Sequence, residues 1–153
     1  MYTTVLTLHS WLRWLALIAG VMATFSALRD NAAPPAQGPA DRWGLILTIA
    51  LDTQLLLGLL LYFVVSPTMA AIRDNFSLAM KDPVARFWAV EHLTTMLVAI
   101  VVAHVGRVLG RKSTSADSKK MKLFVCYGIA TALMLLAIPW PGLRAGRPLF
   151  RGL

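Results

Sequence analysis

A chain of 153 residues with 58% hydrophobic and 14% charged residues and a mean hydropathy of +0.65 is too apolar for a soluble globular domain. The formal net charge of +8 does not indicate nucleic-acid binding, because the Lys and Arg residues flank apolar runs and anionic lipid accounts for them. A single cysteine, Cys126, excludes an intrachain disulfide, a CxxC redox pair and a cysteine metal cluster.

Four apolar runs are long enough, or nearly long enough, to cross a bilayer. A hydrocarbon core of about 30 Å requires roughly 20 helical residues per crossing. The runs are Thr3–Leu28, Trp43–Val65, Val84–Gly110 and Met121–Ile138. We therefore predict an all-α fold, a four-helix transmembrane bundle of up-down-up-down topology. It would form a single membrane domain over residues 1–153, in contact with the lipid bilayer.

Local sequence signals set the ends of these helices. The Pro34-Pro35 pair ends the first, because proline lacks the N–H donor and its ring clashes with the preceding turn. The second ends at Ser66-Pro67. Asp82 is placed to cap the third helix, which begins at Pro83. Two prolines and a glycine within residues 139–142 stop the fourth.

The segment between the second and third runs carries apolar residues at helical spacing. These residues are Met69, Ile72, Phe76 and Met80. We predict a short amphipathic helix within residues 67–83 that lies on the outer membrane surface.

The positions of Lys and Arg predict the orientation of the bundle. The third connection and its flanks are the most basic, with Arg107, Arg111, Lys112, Lys119, Lys120 and Lys122; Arg29 and Arg42 share that side. The other side has cations spread over more chain: Arg13, Arg73, Lys81, Arg86, Arg144, Arg147 and Arg151. The positive-inside rule therefore places the third connection in the cytoplasm. In a bacterial inner membrane both termini would then be periplasmic.

Five tryptophans lie near the predicted helix ends, as is typical of indoles at the headgroup level. They are Trp11, Trp14, Trp43, Trp88 and Trp140.

Two histidines, His9 and His92, lie at matching depth in the first and third runs, which are parallel in the predicted bundle. At 1.5 Å per residue, His9 lies ~10 Å before the middle of its helix and His92 lies ~8 Å before the middle of its own. Facing imidazoles can bind a haem iron from both sides. We predict one haem b per chain, held between the first and third helices near the outer face.

Cationic side chains near these histidines would pair with the haem propionates, since guanidinium groups bind carboxylates bidentately. Arg13 lies one turn after the first histidine on the same face. Arg86 stands at the outer start of the third helix, and Arg144 follows the fourth. Glu91 would either orient an imidazole N–H or pair with Arg13. The predicted amphipathic helix would roof this pocket.

A simpler interpretation is structural: the two histidines would hydrogen-bond each other or Glu91 and hold the bundle together. The face of the first histidine continues through small residues, which allow a helix or a flat cofactor to approach closely. These are Ala16, Gly20, Ala23 and Ala27.

Asp52 lies near the middle of the second run, where an ionised carboxylate costs about 3 kcal/mol. We expect it to be protonated, paired or turned toward the bundle interior. One interpretation is a proton or quinone site that includes His104 and Glu91. The simpler interpretation is an interhelical hydrogen bond to His104 or Thr94. His104 itself would be a polar contact near Arg107 at the inner interface.

Short segments of the chain resemble small bacterial integral-membrane cytochromes b. Residues 8–15 (LHSWLRWL) resemble the opening helix of those proteins, in which a histidine beside an aromatic residue precedes a long apolar run. The larger pattern resembles a family of short bacterial membrane proteins described as cytochrome b. It comprises His9–Trp14, residues 52–58, Arg86–His92 and residues 138–141. The resemblance spans the whole chain and implies a haem-binding electron carrier.

The chain departs from the quinol-oxidising four-helix cytochromes b in its ligand count. Those proteins generally carry two haems and need four axial ligands, whereas this chain has three histidines. His104 has no histidine at its depth, so a second haem would need Met22 or an outside subunit. One haem per chain is therefore the expectation.

Three functions follow from these features. The first is an electron-transfer subunit, rather than a stand-alone enzyme, between quinol and a periplasmic or membrane partner. The second is an accessory subunit of a respiratory or photosynthetic membrane complex, whose small-residue face packs against other membrane subunits or further copies. The third is a small proton-coupled transporter that uses Asp52. It is the weakest, because Asp52 has no evident basic partner and no broken helix or inverted repeat is visible.

Overall fold

The structure is a computed structural model that describes residues 1–150. These residues form six helices and no strand: α1 (Tyr2–Arg29), α2 (Pro39–Val65), α3 (Pro67–Asp74), α4 (Phe76–Ala79), α5 (Pro83–Arg111) and α6 (Ala116–Ala137). Four of them, α1, α2, α5 and α6, are long and apolar enough to span a membrane. The predicted all-α class and the four spanning helices are confirmed, and the chain is a multi-pass membrane protein. Arg151, counted above among the outer cations, lies outside the described residues.

The second spanning helix begins earlier than its apolar run. α2 starts at Pro39 rather than Trp43, because the proline fits the first helical turn. The side chain of Asp41 accepts a hydrogen bond from the Gly38 N–H at 2.9 Å, which stabilises this start.

The fourth spanning helix also begins earlier than predicted. α6 starts at Ala116 rather than Met121, because the Ser115 hydroxyl accepts a hydrogen bond from the Ser118 N–H at 3.2 Å. Capping groups set the start of a helix, whereas the apolar run marks only the part suited to lipid.

The other predicted boundaries are confirmed. The carboxylate of Asp82 accepts a hydrogen bond from the Ala85 N–H at 2.7 Å, and Pro83 is the first residue of α5. α2 ends at Val65, before the Ser66-Pro67 pair, and α6 ends at Ala137, before the prolines that follow it.

The single amphipathic helix expected between the second and third crossings is two helices. Asn75 breaks it with non-helical backbone angles (φ −140°, ψ 67°), and its side chain accepts a hydrogen bond from the Leu78 N–H at the start of α4. Met69 and Ile72 are each 6% exposed, whereas Phe76 is 49% exposed. The apolar face of α3 therefore packs against the bundle, and α4 does not continue it.

Small residues bring the spanning helices close together. α1 packs against α2 and α6, and α5 packs against α6, while α2 and α5 share a narrower contact. The predicted small-residue face of α1 is buried against α6: a Cβ on Gly20 would lie 2.6 Å from the Thr131 Oγ1. A neighbouring helix therefore occupies most of this face.

Two turns of the spanning helices are π-helical, Leu61–Val65 at the end of α2 and Phe87–Glu91 within α5. The Tyr62 hydroxyl donates a hydrogen bond to the Ala89 carbonyl at 2.9 Å and thereby joins the two turns. Such turns are often found at functional sites, because they reorient side chains within a continuous helix. Both turns contribute residues to the cavity described next.

Candidate functional site

A cavity of about 170 Å³ lies among the spanning helices, near the starts of α1 and α5. It has roughly ten times the space that one water molecule needs. Its walls are mainly apolar and include Leu17, Leu55, Leu93, Met96 and Ile100. His9 and His92 both line it.

The structure places the two predicted ligand histidines side by side in this cavity, with one ring edge-on to the other. The ring centroids of His9 and His92 are 6.4 Å apart, and the ring planes meet at 67°. Two imidazoles on opposite sides of one metal ion, with metal–nitrogen bonds of about 2 Å, have centroids about 6.3 Å apart. The observed centroid spacing therefore matches that of two imidazoles bound to one ion.

A backbone carbonyl orients the imidazole of His92. Its Nδ1 lies 2.9 Å from the carbonyl oxygen of Ala137, the last residue of α6. The final carbonyls of a helix have no partner within the helix, and a carbonyl oxygen can only accept a hydrogen bond. The Nδ1 therefore carries the proton, and the Nε2 keeps its lone pair. This is the usual support of a metal-binding imidazole.

The imidazole of His9 lies against α2. A Cβ added to Gly58 would be 3.4 Å from the Cε1 of His9, so the ring lies directly over this turn of α2. The Nδ1 of His9 lies beside the backbone of Gln54, without a hydrogen bond of standard geometry. The ring is thus held by packing between two helices.

Three buried polar atoms at this cavity have no hydrogen-bond partner among residues 1–150: the His9 Nδ1, the Gln54 Oε1 and the Trp88 Nε1. Buried polar groups in folded proteins are nearly always hydrogen-bonded. Their concentration at one cavity indicates a place where a ligand would supply partners.

Two guanidinium groups, those of Arg13 and Arg147, line the cavity. Arg13 donates a hydrogen bond to the Leu149 carbonyl at 2.6 Å, and the Trp14 indole donates to the same oxygen at 3.2 Å. Arg147 lies over the Trp88 ring, 5.3 Å from its centroid. The segment after α6 therefore folds back over the start of α1 and closes this end of the cavity.

The other predicted propionate partners, Arg86 and Arg144, do not line the cavity. The Arg86 Nε donates a hydrogen bond to the Glu91 carboxylate at 2.8 Å, with side-chain exposures of 49% and 48%. The π-helical turn between them places Glu91 about one turn beyond Arg86. Glu91 thus has neither role expected of it, and Arg144 is exposed in the turn that follows α6.

The predicted interhelical hydrogen bond of Asp52 is confirmed. The His104 Nε2 lies 2.9 Å from the Asp52 Oδ1, where the narrow contact of α2 and α5 brings them together. Contrary to the expectation that Asp52 lacks a basic partner inside the membrane, His104 of a neighbouring spanning helix is that partner. The pair is also not interior, since 45% of the His104 side chain and 52% of the Asp52 side chain are exposed. Arg107, three residues after His104, donates a hydrogen bond to the Thr48 hydroxyl at 3.1 Å.

The segments that carried the resemblance to cytochromes b converge on the cavity. His9–Trp14, residues 52–58, Arg86–His92 and residues 138–141 each contribute lining residues, although they come from four different parts of the fold. Within residues 52–58 the contributing residues are Gln54, Leu55 and Gly58, whereas the sequence alone drew attention to Asp52. No periodicity marks Arg147, which reaches the cavity only because the C-terminal segment folds back.

Comparison of the chain with protein-family models, curated proteins and solved structures gives no match. The resemblance to cytochromes b stays a prediction.

Proposed function

We propose that this protein is an integral-membrane electron carrier in which His9 and His92 hold one haem b between α1 and α5. The observation that carries the proposal is the pair of adjacent imidazoles, 6.4 Å apart between ring centroids, in a mainly apolar cavity. Haem b supplies a one-electron couple when it is bound.

The donor set suits a haem better than a bare metal ion. Residues 1–150 contain no cluster of three or more His, Cys, Asp or Glu residues that could hold an ion. A haem iron needs only two axial ligands from the protein, since the macrocycle provides the remaining nitrogens. Two imidazoles and an apolar surround meet that requirement.

Each residue around the cavity has a distinct task in this proposal. The Ala137 carbonyl keeps the Nδ1 of His92 protonated, so its Nε2 is available as a ligand. Arg13 and Arg147 would pair with the propionates, in place of the predicted set of Arg13, Arg86 and Arg144. The apolar walls exclude water and lower the local dielectric, which tunes the reduction potential of a buried haem.

The topology and the orientation of the chain in the membrane are part of this proposal. The four spanning helices would run up-down-up-down, with both termini in the periplasm and the third connection in the cytoplasm of a bacterial inner membrane. α3 would lie at the outer interface over the haem, since Thr68 and Met69 line the cavity. Electrons would pass between quinol and a periplasmic or membrane partner, with the chain acting as a subunit or homo-oligomer.

The visible spectrum of the purified protein tests the proposal. We expect one haem b per chain by pyridine haemochrome after haem-sufficient expression, and absorbance bands that sharpen on reduction with dithionite. A colourless, folded protein from the same expression would overturn it. Free haem added to that colourless protein distinguishes failed loading from the lack of a site.

The Asp52–His104 pair favours a second candidate function, an accessory subunit of a larger membrane complex. The pair is about half exposed near the middle of α2, and polar groups that face lipid are costly. A neighbouring membrane subunit, or another copy of this chain, would cover it and remove that cost. The two candidates are compatible, because neither Asp52 nor His104 lines the haem cavity.

Replacing the pair together, D52L/H104L, tests this second function. The double variant should fold and keep its haem, because removing both partners leaves no unpaired polar group. We expect it to be lost from a complex extracted in mild detergent from the native membrane, whereas the exposed control D117N stays in it. A complex unchanged by D52L/H104L would contradict the assignment. Loss of a proton-coupled flux in D52N, with the complex intact, would instead support the transporter.

A further inference from the structure

A second cavity, of about 200 Å³, lies at the opposite end of the bundle. Its lining comes from residues 34–37 between α1 and α2, from the start of α2, the end of α5 and the start of α6. Along α5, Arg111 lies roughly 28 Å from His92 at 1.5 Å per residue. A hydrocarbon core is about 30 Å thick, so this cavity lies near the other membrane interface.

The lining of this cavity is strongly cationic. Arg107, Arg111 and Lys119 contribute three positive charges against the one carboxylate of Asp41. The Lys119 Nζ lies 2.5 Å from the Asp41 Oδ2, so these two groups neutralise each other. Two guanidinium charges therefore remain for a ligand.

The ion pair of Lys119 and Asp41 holds one side of the cavity in place. The Lys119 side chain is only 3% exposed, and its Nζ also donates to the carbonyls of Ala32 and Ala36 at 3.1 and 3.2 Å. The lysine therefore fixes the connection between α1 and α2. A ligand would meet a preformed surface, with little ordering entropy lost on binding.

Arg107 and Arg111 both have N–H donors left that could bind a ligand. Arg107 is anchored through one nitrogen, which donates to the Thr48 hydroxyl at 3.1 Å. Arg111 forms no hydrogen bond or ion pair within residues 1–150 and lies at the rim. A guanidinium has five N–H donors in a planar fork that matches phosphate oxygens.

We propose that this cavity binds the phosphate group of an anionic phospholipid. Basic pockets between spanning helices at an interface suit such headgroups, and two guanidinium charges favour an anion over a zwitterion. The apolar rim of Pro34, Pro35 and Gly110 would contact the glycerol and the first acyl carbons. The proposal is independent of haem binding, because the two cavities share no lining residue.

Ligand-induced thermal stabilisation of the protein in a neutral detergent tests this inference. The probes are short-chain phosphatidylglycerol, short-chain phosphatidylcholine and inorganic phosphate. We expect phosphatidylglycerol to raise the Tm saturably and phosphatidylcholine to have little effect. In R111Q its apparent affinity should fall by about tenfold, the loss of one charge-assisted contact of about 1.4 kcal/mol. R111Q should fold normally, because Arg111 has no partner among the described residues to lose.

The control variant is R42Q, which removes an exposed cation from the same end of the bundle but not from the cavity lining. Its affinity for phosphatidylglycerol should stay within about twofold of the unchanged protein, well below the effect of one lost phosphate contact. Equal losses in R42Q and R111Q would overturn the site, since they would indicate general attraction to a basic surface. Inorganic phosphate that stabilises the protein as much as phosphatidylglycerol would overturn the lipid and indicate a free anion.

Discussion

Replacing His9 or His92 with alanine is expected to lower the haem content of the purified protein by at least about tenfold, because each variant removes one of two axial ligands. Any haem that remains would have one axial imidazole, so its optical and electron paramagnetic resonance spectra should change from low-spin to high-spin. The measurement is haem per chain by pyridine haemochrome, with circular dichroism to verify that the helices are intact. Added imidazole should partly restore the low-spin spectrum.

The matched control is H104A, which removes the histidine outside the haem cavity. It should keep a full complement of haem with an unchanged spectrum, because His104 pairs with Asp52 and does not line the cavity. Low-spin haem retained in both H9A and H92A would show that these imidazoles are not the ligands. Equal loss in all three variants, with lost helicity, would indicate a structural role for the histidines.

Replacing Lys119 with methionine is expected to lower the free energy of unfolding by about 3–5 kcal/mol, the usual cost of removing one partner of a buried ion pair. The Asp41 carboxylate, with a side chain 14% exposed, would lose its cation. The carbonyls of Ala32 and Ala36 would lose a shared donor, so the connection between α1 and α2 would loosen. Unfolding in mixed detergent measures the stability, and limited proteolysis at residues 31–38 measures the loosening.

Two further variants isolate the cause of this effect. K120M removes the neighbouring lysine, whose Nζ forms an exposed hydrogen bond with the Asn31 side chain at 3.1 Å, and should cost less than about 1 kcal/mol. The double variant K119M/D41N should be more stable than K119M alone, because it removes the unpaired charge while the amide oxygen can still accept the hydrogen bond from the Gly38 N–H at the start of α2. Equal losses in K119M and K120M would mean that the buried pair contributes no more than a surface contact.

Properties that depend on short stretches of chain could be predicted from the sequence. The length of each apolar run predicts a crossing, and Ser66-Pro67, Asp82 and Pro83 act on their own turns, so those boundaries are confirmed. The starts at Pro39 and Ala116 were missed for a related reason: caps and first-turn prolines extend a helix beyond the residues that lipid favours.

The candidate site could be predicted only where helical spacing and depth suffice. The predicted bundle puts His9 and His92 at matched depths, and in the structure their ring centroids are 6.4 Å apart. The sequence does not predict which cation lies near these histidines, because the segment after α6 has no periodicity that would indicate its path. Its return over α1, held by the bonds of Arg13 and Trp14 to Leu149, brings in Arg147 and leaves Arg144 outside.

The sequence by itself determined the class of the protein, the four spanning helices and the two histidines, since hydropathy and helical rise act along one segment at a time. Only the tertiary structure decided which polar groups meet. It pairs Glu91 with Arg86 and Lys119 with Asp41, and of the two partners predicted for Asp52 it selects His104 rather than Thr94. The physical reason is that partner choice depends on the rotation of each helix about its axis. Packing among all the helices sets that rotation, and no single segment encodes it.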